Sequence, residues 1–237
     1  MRIPLNGLQW FIGWPFVLAI VVRGFLVRNS SQNTLNKLFL IASLLFLLSL
    51  TFMGFTSFIT ADPRILSIGT TLGGITEAIA LLVVWIMVAH MYFPRTRALR
   101  LILTGIMAIV ALACIYSAVT ENLARPTTLT IVDGAWFLDY PFSTTYQILA
   151  GILYSSFIFV AAKFWRQSLA ATTRAQTWRL RGFALGMFLI GAIFVVLPFL
   201  NSPRPLMESQ MIVIALGMMV MGSFLLGSLI LSARDQA

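Results

Sequence analysis

A run of apolar residues from Ile65 to Phe93, broken near its centre by one carboxyl at Glu77, constrains this chain more than any other feature. At a rise of about 1.5 Å per residue the run is long enough to cross a bilayer with some tilt. Inside hydrocarbon a lone segment can satisfy its backbone polar groups only as a helix. Glu77 is the only acidic residue deep inside an apolar segment of the chain. A carboxyl at that depth is costly, so it turns toward other helices and by default marks a functional site. Gly69 and Gly73 precede it at four-residue spacing, with Thr70 and Thr76 close by. Small residues on one face let a neighbouring helix approach closely.

Six more blocks share this character. The predicted helices run over about residues 9–27, 38–60, 65–93, 98–119, 141–165, 182–200 and 208–232, which makes an all-α, polytopic, seven-helix membrane protein with one membrane domain over 1–237. Composition agrees, with 59% hydrophobic and 10% charged residues, where ordinary soluble domains carry roughly a quarter charged. Asp62-Pro63 turns the chain before the third block and Pro94 ends it. The longest connection is Thr120 to Tyr140, where TTLTIV has strand character and Trp136, Phe137 and Tyr140 suit a membrane interface. The run Arg166 to Arg181 is expected as a basic connection; Pro15, Pro141 and Pro198 would serve as hinges if the chain were a carrier.

The basic residues predict an orientation. Arg23, Arg28, Lys37, Arg95, Arg97, Arg100, Lys163, Arg166, Arg174, Arg179, Arg181 and Arg234 belong to one side, against Arg2, Arg64, Arg125 and Arg204 on the other. Twelve against four places the N-terminus outside and the C-terminus in the cytoplasm. Topology thereby accounts for the net charge of +9, and a nucleic-acid partner is not needed to explain it.

Several chemistries are excluded or disfavoured. The single cysteine, Cys114, cannot form an intrachain disulfide and reads as a small buried hydrophobe. The single histidine, His90, excludes a bis-histidine haem or a multi-histidine zinc site within the chain. Met207, Met211, Met218, Met219 and Met221 do not share a helical face, so core filler is the better reading than Cu(I) binding. No lysine in the last block could carry a retinal Schiff base. There is no G-x-S-x-G, HExxH, P-loop or dinucleotide fingerprint, so neither an enzyme nor a cofactor is expected.

What remains is a set of polar residues inside the apolar blocks. Glu77 lies about 12 residues, or about 18 Å, from the outer end of its block. No Lys or Arg matches that depth. A protonated carboxyl hydrogen-bonded to Gln147 or a tyrosine is therefore expected, either as a ligand contact or as a packing bond. Ser143, Gln147, Gly151 and Ser155 recur every four residues in the fifth block, and Tyr154 flanks them. Glu77, Gln147, Tyr154 and Tyr146 are the candidate ligand-binding residues, beside the alternative that they only pack helices.

Two runs carry a family resemblance. GAWFLDYPFSTTYQILAGILYSSFIF resembles the start of helix five in the seven-transmembrane sensor region of bacterial histidine kinases and diguanylate cyclases. TTRAQTWRLRGFALGMFLIGAIFVVLPFL is similar to that family's passage from a basic cytoplasmic loop into helix six. The resemblance extends over about residues 8–232 and implies a sensor in a bacterial inner membrane. In that family a kinase or cyclase domain follows; here only Arg234 to Ala237 remain, so output is expected through a partner protein. The leading expectation is a sensor that binds a small or lipid-like ligand. A carrier of three-plus-one-plus-three type and a non-catalytic subunit of a membrane complex are the alternatives.

Overall fold

The structure, a computed structural model, describes residues 34–132, 135–140 and 143–196, together with 13–15, 17–18, 20–22 and 199. Five helices within these bounds are long and apolar enough to cross a membrane: α1 (Thr34–Ile59), α2 (Pro63–Tyr92), α3 (Arg97–Ala124), α4 (Thr144–Leu169) and α5 (Arg174–Val196). The chain is a mainly helical, multi-pass membrane protein. These helices correspond to the second to sixth predicted blocks. Part of the first block falls within a short apolar helix, Gly13–Val22. The seventh block, with its methionines, and Pro141 and Pro198 lie outside the described residues.

The helix ends are set by local chemistry. Asp62 caps α2, its Oδ1 accepting from Arg64 N–H at 2.9 Å, and Pro63 occupies the first helical position, where its missing N–H costs nothing. The helix thus begins two residues before the predicted start. The α3 helix continues five residues beyond its expected end at Val119, because Glu121 and Asn122 both find partners from the helical conformation. The fifth predicted block starts at Pro141, but α4 begins at Thr144, with Ser143 as its cap: the Ser143 hydroxyl accepts from Tyr146 N–H at 3.2 Å.

The largest departure concerns the basic run Arg166 to Arg181. It is not a long connection. The helix α4 carries on to Leu169, and α5 starts at Arg174, where Thr173 caps it by accepting from Gln176 N–H at 3.2 Å. Thr173 and Gln176 have the spacing of a capping box, and only residues 170–173 are left to turn the chain.

Two compact units make up the chain, Met1–Leu153 and Tyr154–Ala237. In the first, α2 is the most deeply enclosed helix and packs on both α1 and α3. Against α1 the two helices meet through glycine. A Cβ at Gly69 would lie 2.5 Å from Thr56 Oγ1 and 2.9 Å from the Phe52 carbonyl oxygen, and one at Gly73 would collide with Met53. The small-residue face read in the sequence therefore does admit a neighbouring helix. At that point α1 widens into a π segment, Thr51–Phe55. Against α3 the packing is antiparallel, Thr70 meeting Asn122 and Gly74 facing Ala118.

Between α3 and α4 the predicted strand is present as β1 (Thr128–Val132), paired antiparallel with β2 (Ala135–Asp139) so that Leu129 opposes Leu138 and Ile131 opposes Trp136. Arg125 and Asp139 form an ion pair across its base, largely exposed on the arginine side, so it adds little stability.

In the second unit α4 and α5 run antiparallel. Tyr154 stacks on Phe194 at 3.7 Å between centroids, Phe164 lies 6.0 Å from Phe183, and the Arg181 guanidinium sits 5.6 Å over the Trp165 ring. Gly191 permits this pairing: a Cβ there would already be 3.2 Å from the Tyr154 carbonyl oxygen.

Candidate functional site

Polar groups of the first unit gather at two levels along the α2–α3 pair. The first level lies at the start of α2 and the end of α3. Thr70, Asn122 and Thr127 are all buried, and Thr127 has no exposed surface. The Asn122 side-chain oxygen accepts from Thr70 Oγ1 at 3.2 Å and from Thr127 Oγ1 at 3.0 Å, while the two hydroxyls lie 3.0 Å apart. Asn122 Nδ2 donates back to the Ala118 carbonyl, and the Ser67 hydroxyl accepts from Thr127 N–H at 2.8 Å. Buried polar groups inside apolar surroundings need such partners, and here the network joins α2, α3 and the entry to β1.

Beside it, Glu121 connects α3 to α4. Its carboxylate accepts from the Ser117 hydroxyl one turn earlier, from the Ser143 hydroxyl, and from Ser143 N–H at 2.7 Å. An acidic group at a helix start also meets the positive end of the helix dipole. Glu121 thus holds the residue that caps α4, and by this route sets where Tyr146 lies.

The second level is Glu77, about two turns further into α2 than Thr70. It is buried, with 8% of its surface exposed. Tyr146, also 8% exposed, brings its hydroxyl to the same face of α2, 3.7 Å from the position of a Cβ on Gly74. Glu77 and Tyr146 are within electrostatic range of one another and of Cys114 on α3, and Glu121 acts on both Cys114 and Tyr146. Three helices therefore contribute groups at this level: Glu77 from α2, Cys114 from α3 and Tyr146 from α4. Carboxyl and phenol oxygens there can accept and donate hydrogen bonds to a ligand carrying hydroxyl, amide or amine groups. Among the described residues no three His, Cys, Asp or Glu gather into a metal-binding group.

The other expected residues are placed differently. Gln147 follows Tyr146 directly, so it projects about 100° away around the helix. It is half-buried. Tyr154 lies two turns further on and belongs to the second unit. It is buried, stacked on Phe194 and edge-on to Phe157 at 5.6 Å. His90 is turned to its own helix, with Nδ1 2.8 Å from the Ile86 carbonyl oxygen.

Glu121, Asn122 and Trp85 do not stand out in the sequence. Glu121 and Asn122 fall in the expected connection, although Ser117 and Glu121 have the i, i+4 spacing of neighbours on a helix. Trp85, buried in α2, donates its indole N–H to the Leu153 carbonyl of α4 at 3.0 Å. No protein-family model, curated protein or solved structure matches this chain.

Proposed function

We propose that this chain is a non-enzymatic, receptor-like membrane protein that binds a small or lipid-like molecule at the Glu77 cluster and passes a helix displacement to a partner protein. Its proposed form is a seven-helix domain with the N-terminus outside and the C-terminus in the cytoplasm, in keeping with the distribution of basic residues. The observation that carries the reading is a carboxyl buried within a membrane-spanning helix, with a phenol and a thiol from two other helices around it. Two features support the displacement step. Ser67, Thr70 and Trp85 tie α2 to its surroundings on either side of Glu77, and the glycine face against the π segment of α1 leaves two helix backbones nearly touching. A small shift of α2 is then transmitted directly to α1.

The test is native mass spectrometry of the full chain purified in mild detergent, comparing wild type with Glu77→Gln and Glu77→Ala. Wild type is expected to carry a bound molecule that both variants lose with expression intact, Glu77→Gln melting like wild type stripped of that molecule. Identical spectra with a lowered melting temperature would assign Glu77 to packing alone.

A second reading, transport, is favoured by the π segment itself. Such segments are concentrated at functional sites, and interrupted helices line the binding sites of carriers. Flux of candidate solutes into proteoliposomes, absent in Glu77→Gln, separates it from the first.

A further inference from the structure

The β1–β2 hairpin between α3 and α4 has two unlike faces. Residues opposite each other in a two-stranded sheet share a face, and faces alternate along each strand. Leu129, Ile131, Trp136 and Leu138 therefore lie together on one side, with Thr128, Thr130, Phe137 and Asp139 on the other. The first side carries no charge, and it changes character over one step of the ladder. At the base Leu138 has no exposed surface, whereas Ile131, about 7 Å along the ladder, is 60% exposed. This apolar face begins packed within the first unit and continues past its rim. Trp136 and Phe137 point to opposite sides, so of these two aromatic residues only Trp136 can share the surroundings of Ile131.

The level of the hairpin says what lies beyond the rim. The α2 helix has 30 residues and is about 45 Å long, the thickness of a bilayer with its headgroups. Hydrocarbon takes about 30 Å of that, which leaves about 5–8 Å of headgroup layer at each end. The strand β1 packs on α2 and is anchored below the start of that helix. Ser67 Oγ accepts from Thr127 N–H, and Thr70 Oγ1 lies 3.0 Å from the Thr127 hydroxyl. These residues come four and seven positions after Pro63, or about 6–10 Å along the axis. The hairpin thus springs from the boundary between headgroups and acyl chains, rather than from water above it. Ile65 and Ile68, exposed on α2 at the same level, continue the apolar belt that the spanning helices present to lipid.

The strands themselves limit the depth. Among the described residues the sheet has only two strands, so each keeps an outer edge of backbone polar groups, and such edges stay out of hydrocarbon. Asp139, which pairs with Arg125, belongs to the opposite face and leaves the Ile131 side free of charge.

We propose that the hairpin lies in the headgroup layer of the leaflet that receives the start of α2, with Ile131 and the Trp136 indole set against the upper acyl chains of neighbouring phospholipids. Tryptophan suits that place, since it combines an apolar ring with an N–H that headgroup oxygens can accept.

The experiment places a cysteine at Ile131 in the full chain with Cys114 replaced by alanine, attaches an environment-sensitive fluorophore and reconstitutes the protein in phospholipid nanodiscs. Its emission is read against iodide in the water and against phosphatidylcholine carrying a nitroxide either high on an acyl chain or near the chain end. Two further labelled sites calibrate the reading: Ala61, exposed in the turn before α2, and Ile109, exposed near the middle of α3. At Ile131 the high nitroxide is expected to remove several times more emission than either iodide or the chain-end nitroxide. Ala61 should respond mainly to iodide, and Ile109 mainly to the chain-end nitroxide. Without any label, the tryptophan emission lost in Trp136→Phe should be emission that the high nitroxide quenches in wild type. The proposal is overturned if Ile131 responds to iodide as Ala61 does, which places the hairpin in water. It is equally overturned if Ile131 follows Ile109, or if none of the three quenchers reaches it, which places that face against protein.

Discussion

Replacing Asn122 by alanine is expected to cost little alone and far more when Thr70 is replaced by valine in the same molecule. The reason lies in counting protons. Thr70 and Thr127 each have one hydroxyl proton, and between them and Asn122 and Ser67 there are more acceptors than protons. Without the Asn122 amide, Thr127 can donate to Thr70 Oγ1 and Thr70 to the Ser67 carbonyl at 3.1 Å, so no hydroxyl is stranded. The single change loses the Nδ2 bond to Ala118 and leaves a small cavity, about 1–2 kcal/mol in all. Thr70→Val alone leaves Thr127 donating to Asn122 and costs about 0.5–1.5 kcal/mol. Both changes together leave the fully buried Thr127 hydroxyl without an acceptor among the described residues. That adds the desolvation penalty of an unsatisfied group, about 1–3 kcal/mol beyond the sum. Denaturant or thermal unfolding of the four proteins of this double-mutant cycle, in one detergent, measures the excess directly. Additivity within about 0.5 kcal/mol would refute the shared-proton account.

Four further substitutions test the packing. Gly69→Ala should lower the melting temperature, because its methyl meets a backbone oxygen of Phe52 that cannot rotate away; about 1–3 kcal/mol of overpacking outweighs the helical preference for alanine. Gly105→Ala, with nothing within 4 Å of the new methyl, should gain about 0.5–1 kcal/mol, so the two substitutions shift the melting temperature in opposite directions. Glu121→Ala should strand Ser143 N–H and cost about 1.5–3 kcal/mol as a charge-assisted bond, visible as faster amide hydrogen exchange at residues 143–146 with the rest of α4 still protected. Trp85→Phe removes one indole bond to a carbonyl that keeps its helical donor, and unfolding should register about 0.5–1.5 kcal/mol.

Apolar length carries most of what the sequence foretells here, because twenty or so consecutive apolar residues admit one backbone solution in hydrocarbon. That is why the five described spanning helices coincide with apolar blocks, and why the Gly69–Gly73 face is recognisable as a place of close approach. The ends are harder. Glu121 and Asn122 look like loop residues by composition, and become helix only because Ser143, Thr70 and Thr127, distant in sequence, supply their partners. At Arg166 to Arg181 charge density imitates a loop, whereas the capping pair Thr173 and Gln176 shows where the helix restarts. For the site, Glu77 stands out by its rarity and Tyr146 by its type. That Tyr146 rather than its neighbour Gln147 faces α2 depends on the start of α4, and this rests on Glu121.

The two polar levels of the first unit differ in a way that bears on Glu77. The network of Thr70, Asn122 and Thr127 joins helices with neutral hydroxyl and amide groups, whose burial is compensated by their mutual bonds. Amide and hydroxyl groups are sufficient for packing, as that network demonstrates two turns away. A carboxyl at Glu77 is a costlier group in the same apolar surroundings, and for packing alone glutamine would serve as well. What a carboxyl adds is the ability to take on charge when a ligand brings a compensating group. Glu77→Gln is for this reason the decisive substitution: it preserves shape and hydrogen-bonding capacity while removing only that ability. Under the ligand-binding reading it folds like wild type and loses its bound molecule.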